Sequence, residues 1–201
     1  MSGHNFDLFA QSAPVAAIPG FDYRPDFIDR DEELALVAEI EGLDLAPYEF
    51  RGVEARRRVI SFGFRHDYRT RRLEQSASMP PFLETLKSRV AVFCGLPSES
   101  FQQVLVSEYR PGTPIGWHKD REHYDRVVGL SLLSEATFRF RREVDGRWLR
   151  RSQLLEPRSV YQLTGAARHL WQHSIPPVPA LRYSVTFRTM SENPGTPPGG
   201  G

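Results

Sequence analysis

Cysteine is almost absent: Cys94 is the only one in 201 residues. A single thiol excludes an intramolecular disulfide and a cysteine-based zinc site. It fits a reducing compartment, so a cytoplasmic location is expected. Lysine is nearly as scarce. Lys87 and Lys119 are the only two, and arginine carries the rest of the positive charge. Arginine offers a planar, bidentate fork to carboxylate or phosphate, although a GC-rich genome leaves the same bias. A charge imbalance is missing too. The formal net charge is +1, so no global field points to a polyanion. No apolar run reaches the 18 residues of a membrane span. The N-terminus has no basic region followed by an apolar one, so no signal peptide is expected.

What is present is an ordinary globular composition, 40% hydrophobic and 25% charged, long enough for one domain with a sizeable core. Residues 1–17 read as a loose lead-in, 18–190 as a single domain and 191–201 as a disordered tail low in apolar residues. There is no internal repeat. "DRDEELALVAEIEG" predicts a helix, with Asp29 as N-cap, Glu32 three residues on, and Leu34, Val37, Ala38 and Glu41 at helical spacing before Gly42. "PPFLETLKSRVAVFCG" predicts a second, with Pro81 in the first turn, a stripe of Phe82, Leu86, Val90 and Phe93, and Gly95 as the stop. "VISFGFRHDY" before it reads as a strand or hairpin. From residue 101 the pattern turns to short strands rich in β-branched and aromatic residues. They are "FQQVLVSEY", "VVGLSLL", "ATFRFRR", "RWLRRSQLLE", "SVYQLTG", "HLWQHSI" and "LRYSVTFRT", spaced as in an all-β sandwich or barrel. The expected class is mainly β with flanking helices.

Chemistry concentrates in "PIGWHKDREHYD". Residues two apart on a strand point to the same face. His118 and Asp120 then offer an imidazole and a carboxylate to one point, while Trp117 and Lys119 face away. His123, three residues past Asp120, leaves that face. A third ligand is needed, and "HLWQHSI" supplies His169 and His173. Two histidines and one carboxylate hold iron(II) with open coordination positions; zinc can use the same set plus water. "LRYSVTFRT" adds a polar face of Arg182, Ser184, Thr186 and Arg188 opposite Leu181, Tyr183, Val185 and Phe187. That face is either a solvated surface or a barrel interior. Inside a barrel the arginines need partners, and a small dicarboxylate supplies bidentate, charge-assisted bonds.

"SEYRPGTPIGWHKD", "RHLWQHSI" and "RYSVTFR", in that order, resemble the AlkB family of iron(II)- and 2-oxoglutarate-dependent dioxygenases, and "RRVISFGFRHDY" resembles the strand and lid that precede its core. The resemblance covers roughly residues 18–190. It implies a double-stranded β-helix of the jelly-roll type, with a nucleotide-recognition lid at about 50–75 and the core at about 101–190. It implies His118, Asp120 and His173 as iron ligands and 2-oxoglutarate and dioxygen as cosubstrates. Arg182, aided by Tyr109, would pair with the far carboxylate, and Arg188 would lie near the carboxylate that chelates the metal. By the same resemblance Ser107, Ser184 and Thr186 would complete the cosubstrate pocket. Ser107 and Ser184 stand where the family often has asparagine, and serine can still donate a hydrogen bond. The implied reaction couples oxidative decarboxylation of 2-oxoglutarate to hydroxylation of an N-alkyl carbon, with release of formaldehyde.

The implied substrate is an N-alkylated base in DNA or RNA, single- or double-stranded, handled by a monomer. Residues 51–72 carry Arg51, Arg56, Arg57, Arg58, Arg65, Arg69, Arg71 and Arg72 against Glu54 and Asp67. Phe62, Phe64 and Tyr68 are interleaved. Arginines for phosphates and aromatics for stacking are the parts of a flipped-base or single-strand binder; the competing expectation is a solvated loop whose aromatics enter the core. Arg139, Arg141, Arg142, Arg147, Arg150 and Arg151 form a second basic group, and Arg142 is a candidate substrate contact. Glu122 falls where the family's DNA-repair prototype has a base-contacting aspartate, and a carboxylate there can accept from an exocyclic amine. Trp117 and Trp171 are expected in the barrel wall, and His66 at the surface or in the lid. The alternative keeps the chemistry and changes the substrate to a protein side chain or small molecule.

Overall fold

The computed structural model describes residues 18–50, 53–66, 73–75 and 77–191. In chain order the elements are β1 (Phe21–Arg24), α1 (Arg30–Glu41), β2 (Ala46–Phe50), β3 (Val53–His66), β4 (Leu73–Gln75) and α2 (Pro81–Cys94). There follow β5 (Phe101–Tyr109), β6 (Ile115–His118), β7 (Tyr124–Leu132), β8 (Ala136–Val144) and β9 (Arg147–Leu155). The chain ends with β10 (Val160–Leu163), the short α3 (Gly165–His169), β11 (Gln172–Ile175) and β12 (Arg182–Met190). The larger sheet runs β1-β10-β7-β12-β5-β3-β2, with β4 paired to β3, and the smaller runs β6-β11-β8-β9. The pairings between these strands are antiparallel.

Both helices are set by local chemistry. Asp29 accepts from the Glu32 amide at 2.8 Å and Glu32 returns a bond to the Asp29 amide at 3.0 Å, a complete capping box. Gly95 stops α2 at φ 64°, a left-handed conformation that costs glycine nothing. The buried face of α1 differs from the expected one. Leu34 and Ala38 are exposed, and Glu33, Val37 and Ile40 are buried. Glu33 can go inside because it accepts from the Leu133 amide at 2.9 Å and from Arg158 at 3.0 Å. On α2 the deepest positions are Leu83, Leu86, Val90 and Ala91, with Phe82 and Phe93 only partly covered.

Two cores result. One lies between the helices and the larger sheet, where Ile40, Leu83 and Val90 meet Val104, Leu130, Val185 and Phe187. The other lies between the two sheets and holds Tyr109, Val127, Phe138, Phe140, Tyr161 and Trp171. β12 is central, paired to β5 on one side and β7 on the other. Its apolar residues face the helices and its polar residues face the second core, so both faces are buried.

The stretch "HLWQHSI" departs from the expected strand. His169 ends α3, and only Gln172–Ile175 are extended. The strand carrying His118 also ends earlier than expected, at His118 itself, so Asp120 is presented by the turn that follows rather than by a strand face.

Candidate metal centre

The two strands β6 and β11 pair so that His118 stands opposite His173. Their rings lie 4.3 Å apart, centroid to centroid, near an edge-to-face angle of 65°. The turn after β6 brings Asp120 back to them, with its Oδ2 3.4 Å from His173 Nε2. One ligand atom from each of the three residues lies within 4.8 Å of the others, the sole such group among the described residues. His118 Nδ1 is 2.9 Å from the Gly116 carbonyl, so as donor it leaves Nε2 free to ligate. Burial pushes the His173 imidazole down to about 3, outweighing the opposing Asp120 charge. Burial also opposes ionisation of Asp120, but Arg188 and the two histidines overcome it and hold the carboxyl well below its ordinary range. A neutral imidazole and an ionised carboxylate are the protonation states a divalent metal requires.

His169 is not part of the group. It sits at the end of α3, with Nε2 3.5 Å from Asp125. His123 packs on the Tyr124 ring at 4.2 Å. The side chain of His66 lies outside the described residues.

Beside the histidines is a cleft of about 490 Å³, including its open mouth. Ser107, Tyr109, Arg182, Ser184, Thr186 and Arg188 all line it, together with the three metal-binding candidates. The polar face of β12 is therefore a barrel interior. Arg182 is 0% exposed. Its Nε donates to Ser131 Oγ at 3.1 Å, and its guanidinium carbon is 4.9 Å from the centre of the Tyr109 ring. Both Nη groups are buried without a partner. Each unsatisfied buried donor costs about 1–3 kcal/mol, and a carboxylate seated on the fork would satisfy both. Burial opposes ionisation of the Tyr109 phenol, but Arg57 and Arg182, with hydrogen bonds from Arg57 and Ser184, bring it below its ordinary value. This end of the cleft is built to receive negative charge.

Residues 49–188 match the family described as the 2OG-Fe(II) oxygenase superfamily. The chain belongs to this superfamily. Within the oxygenases it is AlkB-like. It is 31% identical over 220 residues to human "Alpha-ketoglutarate-dependent dioxygenase alkB homolog 4", covering 90% of this chain and 70% of that protein. It is 30% identical to the "Alpha-ketoglutarate-dependent dioxygenase AlkB homolog" of Caulobacter vibrioides, covering 77% of each. It is 28% identical to the Arabidopsis thaliana "Alkylated DNA repair protein ALKBH8 homolog" over 79% of this chain and 51% of that one, so it spans about half the length of that relative. The fold superposes on the structure of OsALKBH1 with a TM-score of 0.69 at 18% identity, covering 88% of this chain and 100% of the other. A Pseudomonas putida prolyl-4-hydroxylase gives 0.59 at 16%, covering 87% and 94%. The oxygenase fold is the expected jelly-roll double-stranded β-helix.

The enzyme is an iron(II)- and 2-oxoglutarate-dependent dioxygenase, and its residues fit those groups. His118, Asp120 and His173 form a donor set that could hold iron(II), and the orphaned fork of Arg182 fits a carboxylate of 2-oxoglutarate. Arg188 lines the cleft and braces Asp120. Its Nη1 donates to Gln103 Oε1 at 2.8 Å and its Nη2 to Asp120 Oδ1 at 3.3 Å.

Several residues of the oxygenase site carry no obvious sequence signal. Arg168 is 2% exposed, in a short helix. Its Nη2 donates to the carbonyls of Arg121 and of Tyr124, the latter at 2.7 Å, which ties down the turn just after Asp120. Gln103, Ser131 and Tyr161 also belong to the centre or its supports. Arg57 is the one arginine of the basic run that lines the cleft among the described residues, and its guanidinium carbon is 4.5 Å from the Tyr48 ring.

The expected substrate contacts fare unevenly. Phe62 is not available for stacking. It is 4% exposed and packs in the helix-side core, because its register opposite Val104 turns it away from the cleft. Arg58 is turned the same way, donating to the Leu45 carbonyl at 2.6 Å and lying 3.5 Å from Glu108. Phe64 is exposed. Glu122 is exposed in the turn and is not a cleft-lining residue. Arg142 is half-buried on the inward side of β8, one strand pair beyond Phe140, and does not line the cleft either. Tyr68, with Arg51, Arg69, Arg71 and Arg72, lies outside the described residues.

Proposed function

We propose that this dioxygenase removes alkyl groups from the nitrogen atoms of bases in DNA or RNA, as in repair of alkylation damage. The observation that carries the reading is Arg57 in the cleft wall, on β3, the strand whose sequence concentrates arginine and aromatic residues. The similarity to a plant protein named for alkylated DNA repair supports it. Exposed Phe64, and Tyr68 from the adjoining stretch, are the aromatic candidates for stacking on a flipped base. Glu122 and Arg142, which do not line the cleft, remain candidates only for contacts with nucleic acid outside it.

The roles of the residues follow from their places. His118, Asp120 and His173 would hold iron(II) from one side and leave the cleft side open. Arg182 would grip the far carboxylate of 2-oxoglutarate, with Tyr109, Ser107, Ser184 and Thr186 around its chain and Arg188 near the metal-side end. Ile115, Val127 and Leu163 supply an apolar wall that keeps water out. When bound, the iron and 2-oxoglutarate supply dioxygen activation and hydroxylation of a C–H bond. On an N-methyl base, the hydroxymethyl product loses formaldehyde. The balance is one dioxygen and one 2-oxoglutarate consumed per methyl lost, giving succinate, carbon dioxide, formaldehyde and the unmodified base.

A panel of methylated oligonucleotides, incubated with iron(II) and 2-oxoglutarate and read by mass spectrometry, tests this. Loss of a methyl group from at least one member, with formaldehyde released, is expected. Consumption of 2-oxoglutarate with every oligonucleotide left intact would contradict it.

A further inference from the structure

The outer face of the smaller sheet carries a group the metal centre does not use. Trp117 adjoins inward His118 on β6, and Arg139 and Arg141 alternate with inward Phe138 and Phe140 on β8. On β9, Trp148 stands opposite Glu143 and Arg150 opposite Arg141. The Arg141 guanidinium lies between two indoles, its carbon 4.5 Å from the ring centres of Trp117 and Trp148. Arg139 is 5.2 Å from Trp117. Each guanidinium is also fixed at its inner end. Arg139 Nε donates to Ser174 Oγ at 3.1 Å, and Arg141 Nε to Gln172 Oε1 at 2.7 Å. Their outer Nη groups make no hydrogen bond or ion pair among the described residues.

The second observation is the register itself. Arg141 and Arg150 are directly opposed on one face, and like charges so placed destabilise a sheet. Glu143, on the same face, forms an ion pair with neither. Half-buried guanidiniums on this outer face, each held at Nε and without an ion pair among the described residues, are a site for anions. Residues two apart on a strand are separated by about 6.6 Å, comparable with neighbouring phosphates along an extended nucleic-acid strand. Indoles between them, with Trp148 41% exposed, add stacking surface for bases.

We propose that this face binds single-stranded nucleic acid flanking the base held at the metal centre, which rests on the nucleic-acid reading above. Among the described residues, β6 is an edge strand of its sheet. A strand leaving the inward face at His118 reaches the outward face at Trp117 by passing over that edge.

Anisotropy of a fluorescent oligothymidine, titrated with the full chain at several salt concentrations, tests the proposal. The double variant Arg139→Gln/Arg141→Gln should bind about tenfold more weakly, with a salt slope shallower by about 1.4, the value for two lost phosphate contacts on a single strand. Arg150→Glu, on an exposed side chain, should weaken binding too, and guards against misfolding of the double variant. Turnover of a methylated trinucleotide, too short to reach both faces, should be unchanged in all of them. Unchanged affinity and slope in the double variant and in Arg150→Glu would overturn the proposal while leaving oligonucleotide demethylation intact. Wild-type protein that ignores oligothymidine but binds phosphatidylserine vesicles through these arginines would overturn it in favour of a membrane surface. Binding through these arginines without demethylation of any oligonucleotide would support the face and sink the proposed reaction.

Discussion

Buried guanidiniums are costly unless their donors are used, and the most enclosed arginines of this centre use theirs differently. Arg182 spends Nε on Ser131 and keeps two Nη groups for a ligand. Arg168 spends Nη2 on two backbone carbonyls of the turn that follows Asp120. That turn is not a strand, so nothing in a β-ladder fixes the Asp120 carboxylate; Arg168 and Arg188 do so instead. Arg168 is thus a positioning residue for the metal. Arg168→Gln should weaken Mn(II) binding, measured by calorimetry or by the loss of free Mn(II) signal in electron paramagnetic resonance, by roughly ten- to a hundredfold, the usual effect of losing an outer-shell partner. Arg168→Lys should recover part of it. Full Mn(II) affinity in the folded Gln variant would show that the turn holds itself.

At the scale of elements, the central three strands β5, β12 and β7 make the candidate cosubstrate pocket. Their register sets Ser107, Ser184 and Ser131 side by side and Arg182 beside Tyr109. Tyr161 on β10 lies opposite Gly129 on β7, and a Cβ at Gly129 would overlap the Tyr161 ring. The missing side chain is what leaves room for that ring in the cleft lining. Gly129→Ala should cost about 1–3 kcal/mol, as overpacking does, seen as a lower denaturant midpoint, and should raise the KM for 2-oxoglutarate as the ring shifts. An unchanged midpoint and KM would mean that the ring moves freely. Much of this layer was legible in the sequence. The alternation of "LRYSVTFRT" separates two faces, and the capping box and Gly95 mark the helix ends. The alternation could not say whether the polar face met water or a second sheet, since both give the same pattern. Asp120 was found for a reason that proved incomplete: the two-residue spacing suggested one strand face, whereas a turn delivers it. Phe62 misled because interleaved aromatics look alike in a sequence, and only the pairing of β3 with β5 decides which side each takes. Arg168 stayed hidden because its role is to hold backbone carbonyls, which leave no mark on side-chain patterns.

Across the whole molecule, the centre bridges the two sheets. His118 and His173 belong to the smaller sheet, and Arg182 and Arg188 to the larger. Metal and cosubstrate held by these residues would tie one sheet to the other, so loading should stabilise the fold. At a hundredfold excess over its Kd a ligand adds about 2.7 kcal/mol, a rise in Tm on the order of 5–10 °C for a chain of this size. Mn(II) with 2-oxoglutarate should give more than Mn(II) alone, and Arg182→Ala should lose only the 2-oxoglutarate increment. Equal increments in wild type and variant would remove Arg182 from the cosubstrate site. The central claim joins this bridged centre to a methylated base, and its most direct test is stoichiometric. Succinate and formaldehyde should be counted together while a methylated oligonucleotide is turned over with iron(II) and 2-oxoglutarate. One succinate per formaldehyde in the wild type, and neither product with His118→Ala, is the predicted result. Succinate formed without formaldehyde on every methylated oligonucleotide, or undiminished turnover by His118→Ala, would contradict it.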